Sequence, residues 1–227
     1  MYLLIHGDAG DPKKRVLLEK SIAMALHNTG NLRESIEHFD RALSHLGDVG
    51  DRDGAAAALS QAEALLRRLG RSNVAPHHQS TYLVSQFLFD LTALEELPDG
   101  AGRRGRWALA RRARRSARQA VAIARRIARE QPEVYRLAGH LAWASRRPAR
   151  AVSLWSRSLA MARRLGMRPE LARTYFEAGQ RLATGRGSLT LDGKDAAGCI
   201  ETARALFEEL GLEWDLARVV AQRRHAA

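Results

Sequence analysis

The stretch GSLTLDGKD, residues 187–195, is the first place in this 227-residue chain to look for phosphate chemistry, because two glycines bracket it just before a lysine. A Walker loop needs four residues between its first glycine and a Gly-Lys pair, then Ser or Thr, so that backbone amides cradle phosphate oxygens. Here Gly187 and Gly193 have five residues between them, and Asp195 follows Lys194. No apolar strand precedes the glycines, so no nest of amides is expected. The stretch reads as a loop interrupting a helix pair. Histidines offer little more. His77 and His78 are neighbours and would point about 100° apart on a helix, while His38 and His45 stand two turns apart. No HExxH spacing, nucleophile elbow or glycine-framed carboxylate pair occurs. Cys199 is the only cysteine, which leaves no intrachain disulfide and no thiolate cluster, and its setting in DAAGCIETA favours packing. The expectation is a chain with no catalytic residue, no metal ligands and no cofactor, and hence not an enzyme.

Arginine is the residue type in surplus. The formal charge is +12, but residues 1–102 carry 10 Lys/Arg against 14 Asp/Glu, whereas residues 103–150 carry 15 Arg against Glu130 and Glu133. Residues 151–227 carry 12 against 9. A basic block of that size attracts nucleic acid, acidic protein or anionic lipid. Arg outnumbers Lys 33 to 4 throughout, which fits GC-rich codon usage as well as selection for phosphate contacts. In GRRGRWALARRARRSARQAVAIARRIARE, residues Arg111, Arg115, Arg118, Arg126 and Arg129 recur at three- and four-residue steps, with one gap at Ala122. Leu109, Ala113, Ala117, Ala120, Ala124 and Ile127 form an opposing apolar stripe. That face suits solvent, an acidic partner (the acidic N-terminal half included) or nucleic acid. Trp107 is its only aromatic residue.

The elements that must carry these side chains are helical. Proline is sparse, strand-like alternation is absent, and Ala, Leu, Arg and Glu dominate. The pattern predicts helices at about 12–28, 32–46, 54–69, 77–97, 104–130, 133–145, 148–165, 169–184, 194–210 and 213–224. The connections are short, so successive helices should pack antiparallel. LPDGAGRRG divides an N-terminal group, 1–100, from a basic helix and C-terminal group, 101–227. No apolar run approaches a bilayer span, and MYLLIHGDAGD lacks a basic n-region, so the expected location is cytoplasmic.

Antiparallel helices approach closely only where a small residue on one admits a large residue from the other. Counting from Val16 puts Ala23 eighth, Ser35 twentieth, Phe39 twenty-fourth and Ala42 twenty-seventh. Counting from Pro132 puts Tyr135 fourth, Gly139 eighth, Ala151 twentieth, Trp155 twenty-fourth and Ser158 twenty-seventh. Counting from Ala172 puts Tyr175 fourth and Gly179 eighth; after about five extra residues, Ala196, Ile200 and Ala203 take the small-large-small places. These are the offsets of a tetratricopeptide repeat. The run PEVYRLAGHLAWASRRPARAVSLWSRSLAMARRLGMRPELARTYFEAGQRLA resembles the tetratricopeptide-type region near the C-terminus of large bacterial signalling ATPases. ALFEELGLEWDLARV, residues 205–219, is similar to how those regions finish. The resemblance covers 130–224 most fully, 13–70 in part and 71–129 least.

The resemblance implies an all-α fold, an α-solenoid of antiparallel helix pairs, with a scaffolding or regulatory role in bacterial signal transduction. In such a stack the first helix of each pair lines a groove. Its places hold Lys20, Met24 and His27 in the first frame, Arg136, His140 and Trp143 in the next, and Arg173, Phe176 and Gln180 in the last. Lys20, His27, Arg136, His140, Trp143 and Arg173 are the candidate anchors for a protein or acidic peptide. The competing reading has Trp143 and Phe176 packing against the neighbouring repeat. Two further readings stand beside this one: regulatory nucleic-acid binding through the 103–126 helix, and a detached C-terminal piece of an ATPase or kinase.

Overall fold

A computed structural model of the chain describes residues 52–70, 74, 76–98, 102–185, 189–213 and 215–219. The first frame, with Lys20, His27 and Phe39, lies outside them. Among the described residues the protein is all-helical, with adjacent helices packed in pairs and a single isolated β-bridge. The helices are α1 (Arg52–Leu69), α2 (Pro76–Glu95), α3 (Arg103–Ala124), α4 (Gln131–Ala144), α5 (Pro148–Arg164), α6 (Arg168–Thr184) and α7 (Ala196–Glu209), with a 3-10 turn at Ala128–Glu130. Residues 213 and 215–219 are helical as well. The chain forms two compact units, Met1–Asp99 and Gly100–Ala227.

In the first unit, α1 presents Ala58, Leu59, Ala62 and Leu66 to its interior, and α2 buries Phe87 and Leu91 completely or nearly so. Gln79 donates to the Val74 carbonyl at 2.7 Å and ties the start of α2 to the turn before it.

The second unit is built from repeated local devices. Prolines sit in the first turns of α4, α5 and α6, where a missing N–H breaks no helical bond. Three helices end alike. Arg146, Gly166 and Gly211 take left-handed φ angles of 57°, 65° and 64°. The next residue's N–H then reaches back five positions: Arg147 to Ala142, Met167 to Ala162 and Leu212 to Phe207, each at 2.9 Å. These wraps satisfy the last carbonyls and turn the chain back on itself.

The pairs interlock as the spacing predicts. Trp155 of α5 is fully buried over Gly139 of α4, so close that a Cβ there would lie 2.3 Å from the indole nitrogen. In the next pair Ile200 of α7 fills the space over Gly179 of α6, where a Cβ would lie 2.8 Å from its Cγ1. Ser158 of α5 donates to the Pro132 carbonyl at 2.7 Å and lies 2.8 Å from Thr174 of α6, joining one pair to the next. An apolar core runs through α4, α5, α6 and α7, from Ala142 and Trp155 through Phe176 to Phe207, and on to Val219.

Two expectations change. The basic helix ends at Ala124 rather than 130. Its last turn tightens through Arg126 N to Ile123 O and Ile127 N to Ala124 O, and Gln131 donates its side-chain amide to the Ala124 carbonyl at 3.1 Å. Ile127 is extended, so Arg126 and Arg129 leave the helical face. The loop at 183–195 also contains structure. Leu191 and Lys194 exchange both backbone bonds around Asp192 and Gly193, whose φ angles of 56° and 74° give the Asp-Gly type I′ hairpin turn. Leu191 is fully buried beneath it, and Asp195 caps α7 by accepting from Gly198 N at 2.8 Å.

Candidate binding surface

Two arginine clusters form in the second unit. The first gathers residues that the repeat frame assigns to a groove. Arg136 on α4 donates from Nη1 to both oxygens of Glu177 on α6, at 2.7 and 2.8 Å, and from Nε to Glu170 at 3.2 Å. Its Nη2 stands 3.5 Å from Glu133. Glu170 accepts from Arg173 at 3.0 Å, and Arg173 reaches Asp215 at 3.2 Å. His140 places Nε2 3.1 Å from Glu177, but off the line of a hydrogen bond.

This cluster is interior. Arg136 is 7% exposed, His140 8% and Asp215 3%. Burial works against charge on Glu177, yet Arg136 and then His140 outweigh it and hold the carboxyl well below its ordinary range. Burial likewise works against the Arg136 guanidinium, and Glu177, Glu170 and Glu133 together push its pKa up instead. Glu133 itself is raised to about 7 by burial, which Arg136 opposes and Glu170 and Glu130 reinforce. The structure therefore brings Arg136, His140 and Arg173 together in an ion network between helix pairs, with Arg136 and His140 buried and Arg173 at its partly exposed edge. Arg136 and His140, expected to line a groove, are buried in this network. Trp143 is half-buried, its ring centroid 5.7 Å from that of Trp155 and its edge against Gly185. Phe176 is buried edge-on to Phe207 at 6.1 Å. Lys20 and His27 lie outside the described residues.

The second cluster faces solvent. A cleft of about 540 Å³ opens between α3, α4 and α5. Arg114, Arg118 and Arg125 line one side and Arg147, Arg150 and Arg157 the other. The floor is apolar, made of Ala117, Val121, Ala138, Leu141, Ala142 and Leu154. All six arginines are exposed, no Asp or Glu lines the cleft, and none of the six has a carboxylate partner among the described residues. Arg157 alone is held, its guanidinium 5.2 Å from the Tyr135 ring centroid. The helix periods create this arrangement. Buried Ala113, Ala117, Ala120 and Ala124 turn one face of α3 to the core, and Arg114, Arg118 and Arg125 fall beside it.

Of the arginines that the sequence places on one face of the basic helix, only Arg118 lines this cleft; Arg114 and Arg125 fall beside that row, and Arg147, Arg150 and Arg157 belong to another helix. Their three- and seven-residue steps are the signal that marks them as one face. Elsewhere, Asp192 accepts from Tyr175 and Arg163, and burial first, then Asp192, raises the Tyr175 pKa so that it stays a donor. Burial raises the Cys199 thiol to about 11, away from nucleophilic use. Among the described residues no three His, Cys, Asp or Glu side chains converge to hold a metal ion, and no helix is long and apolar enough to cross a membrane. In comparison with known families and curated proteins, the chain matches no family model and no curated sequence.

Proposed function

We propose that this chain is a non-enzymatic protein-interaction scaffold that binds an acidic protein segment. In this reading its helix pairs continue as a tetratricopeptide-like α-solenoid, and it serves bacterial signal transduction in the cytoplasm. One observation carries the binding role: six exposed guanidiniums, without carboxylate partners among the described residues, flank a cleft with an apolar floor. Such a surface offers hydrogen-bond donors and positive charge but almost no acceptors, so its complement is a run of carboxylates beside apolar side chains. The solenoid and signalling parts rest on the repeat spacing, supported by the matched seats of Trp155 over Gly139 and Ile200 over Gly179.

The test is titration of the full chain with labelled poly-glutamate at two salt concentrations. Salt-sensitive binding should be lost in Arg118→Glu/Arg150→Glu and kept in Arg103→Glu/Arg104→Glu, which carries the same charge change outside the cleft. Equal loss in both variants would refute a defined site. Nucleic-acid binding stays a second reading because α3 also exposes Arg103, Arg104, Arg111 and Arg115 beside Trp107, which is 61% exposed. Random duplex DNA in the same assay discriminates: preference for DNA, with a steep fall in affinity as salt rises, would favour that reading.

A further inference from the structure

We infer that the occupant of the α3–α4–α5 cleft is an amphipathic helix, with an aliphatic ridge on the floor and carboxylates along both flanks. This inference rests on the acidic-protein reading above and adds the partner's conformation and pattern.

The first argument concerns backbone hydrogen bonds. An extended peptide entering the cleft would strip water from its own N–H groups, which then need acceptors. Among the lining side chains only the hydroxyls of Tyr135 and Ser145 can accept; the arginines donate only, and the rest are apolar. The cleft walls are helices, so no strand edge is offered for β-augmentation. A helical occupant satisfies its backbone internally and asks nothing of the floor.

The second argument concerns dimensions. Arg114 to Arg125 runs eleven residues along α3 and Arg147 to Arg157 ten along α5, so each row extends roughly 15 Å, about three helical turns. The rows flank an apolar floor in which Ala117, Ala138 and Ala142 leave hollows beside Val121, Leu141 and Leu154, suited to a ridge of Leu or Ile at i, i+3/i+4 and i+7 with carboxylates on either side within reach of guanidinium forks. A nucleic acid fits less well. Arg157 covers the Tyr135 face that a base would stack on, and the floor offers base edges few acceptors.

The experiment compares three labelled peptides of identical Glu/Leu-rich composition: one amphipathic, one scrambled and one interrupted by prolines. Fluorescence anisotropy on the full chain should rank the amphipathic peptide at least about tenfold tighter than the others, with helicity gained on binding. Ala122→Trp, which fills the cleft from an exposed alanine, should remove the difference, and so should Arg118→Glu/Arg150→Glu. Equal, cleft-dependent binding of all three peptides would overturn the helical occupant and leave the acidic-protein reading standing. No peptide binding, or cleft-dependent binding of duplex DNA in its place, would overturn both.

Discussion

The α4–α6 network and the α3–α4–α5 cleft use the same residue type for opposite ends. Arg136 is buried, and each of its three nitrogens faces a carboxylate. Arg118 and Arg150 are exposed and face none among the described residues. A buried charge is tolerated only when neutralised, so the first cluster belongs to folding. An exposed, uncompensated cluster adds repulsion to the folded state, and that repulsion is relieved when something acidic binds. Local charge pairing, not arginine content, separates the two clusters.

The largest way to break this contrast is to unpair the network. Glu177→Ala leaves Arg136 buried with Glu170 and the more distant Glu133, and should destabilise the second unit by about 3–5 kcal/mol in urea unfolding. Arg118→Glu/Arg150→Glu should leave stability unchanged or slightly raised. Replacing Arg136 and Glu177 together with Met should recover most of the Glu177→Ala loss, because apolar side chains of similar volume remove both desolvation penalties. A loss in the double variant as large as in the single one would give the ion pair a net stabilising role.

Next is the interlock. Gly139→Ala forces a methyl group to within 2.3 Å of the fully buried Trp155 ring and should lose about 1–3 kcal/mol. Gly185→Ala meets the half-buried Trp143 at 2.8 Å, where the ring has room to shift, and should lose less. Both are read from thermal unfolding. Equal effects would mean the two seats are equally rigid.

These two regions also differ in how far the sequence revealed them. Gly139 and Trp155 could be paired on paper because a repeat's helix-to-helix offset is fixed by helix length and turn, and both are local. The network could not. Arg136 meets Glu170 and Glu177 across 34 and 41 positions, and nothing in composition distinguishes it from the free arginines. Glu170 and Glu177 stand seven apart on one face of α6, two turns of helix, which marks a stripe without naming its partner. The end of α3 was hidden for another reason. AVAIARRIARE, rich in Ala and Arg, carries no Gly or Pro to mark a stop, and the Gln131 side chain that caps the Ala124 carbonyl lies seven positions on.

Acid and base should separate the network from the cleft further. Glu177 sits below its ordinary 4.5 in the fold, so its contribution is complete above that pH and is lost as pH falls below it. Glu133 is raised to about 7, so its contribution is present below 4.5 and is lost as pH rises through 7. The network is therefore most favourable near pH 4.5 and weakens on either side, through Glu177 as pH falls and through Glu133 as pH rises towards 7. Glu133→Gln should abolish the alkaline-side loss in a pH series of melting temperatures and leave the acid-side loss intact. Arginine does not titrate in this range, so peptide affinity at the cleft should vary across it only as the peptide's own carboxylates do.

Arg146 belongs to neither cluster and supplies the smallest test. It holds the left-handed turn between α4 and α5 at φ 57°, a conformation that glycine adopts at Gly166 and Gly211 in the equivalent wraps. A β-carbon is strained there, while glycine carries a larger unfolded-state entropy that offsets part of the relief. Arg146→Gly should therefore stabilise the second unit by less than about 1 kcal/mol. Removing this positive charge should leave acidic-peptide affinity unchanged, because the residue does not line the cleft between Ser145 and Arg147, its two neighbours that do. A fall in affinity comparable to that of Arg150→Glu would mean that total charge, rather than the two facing rows, governs binding.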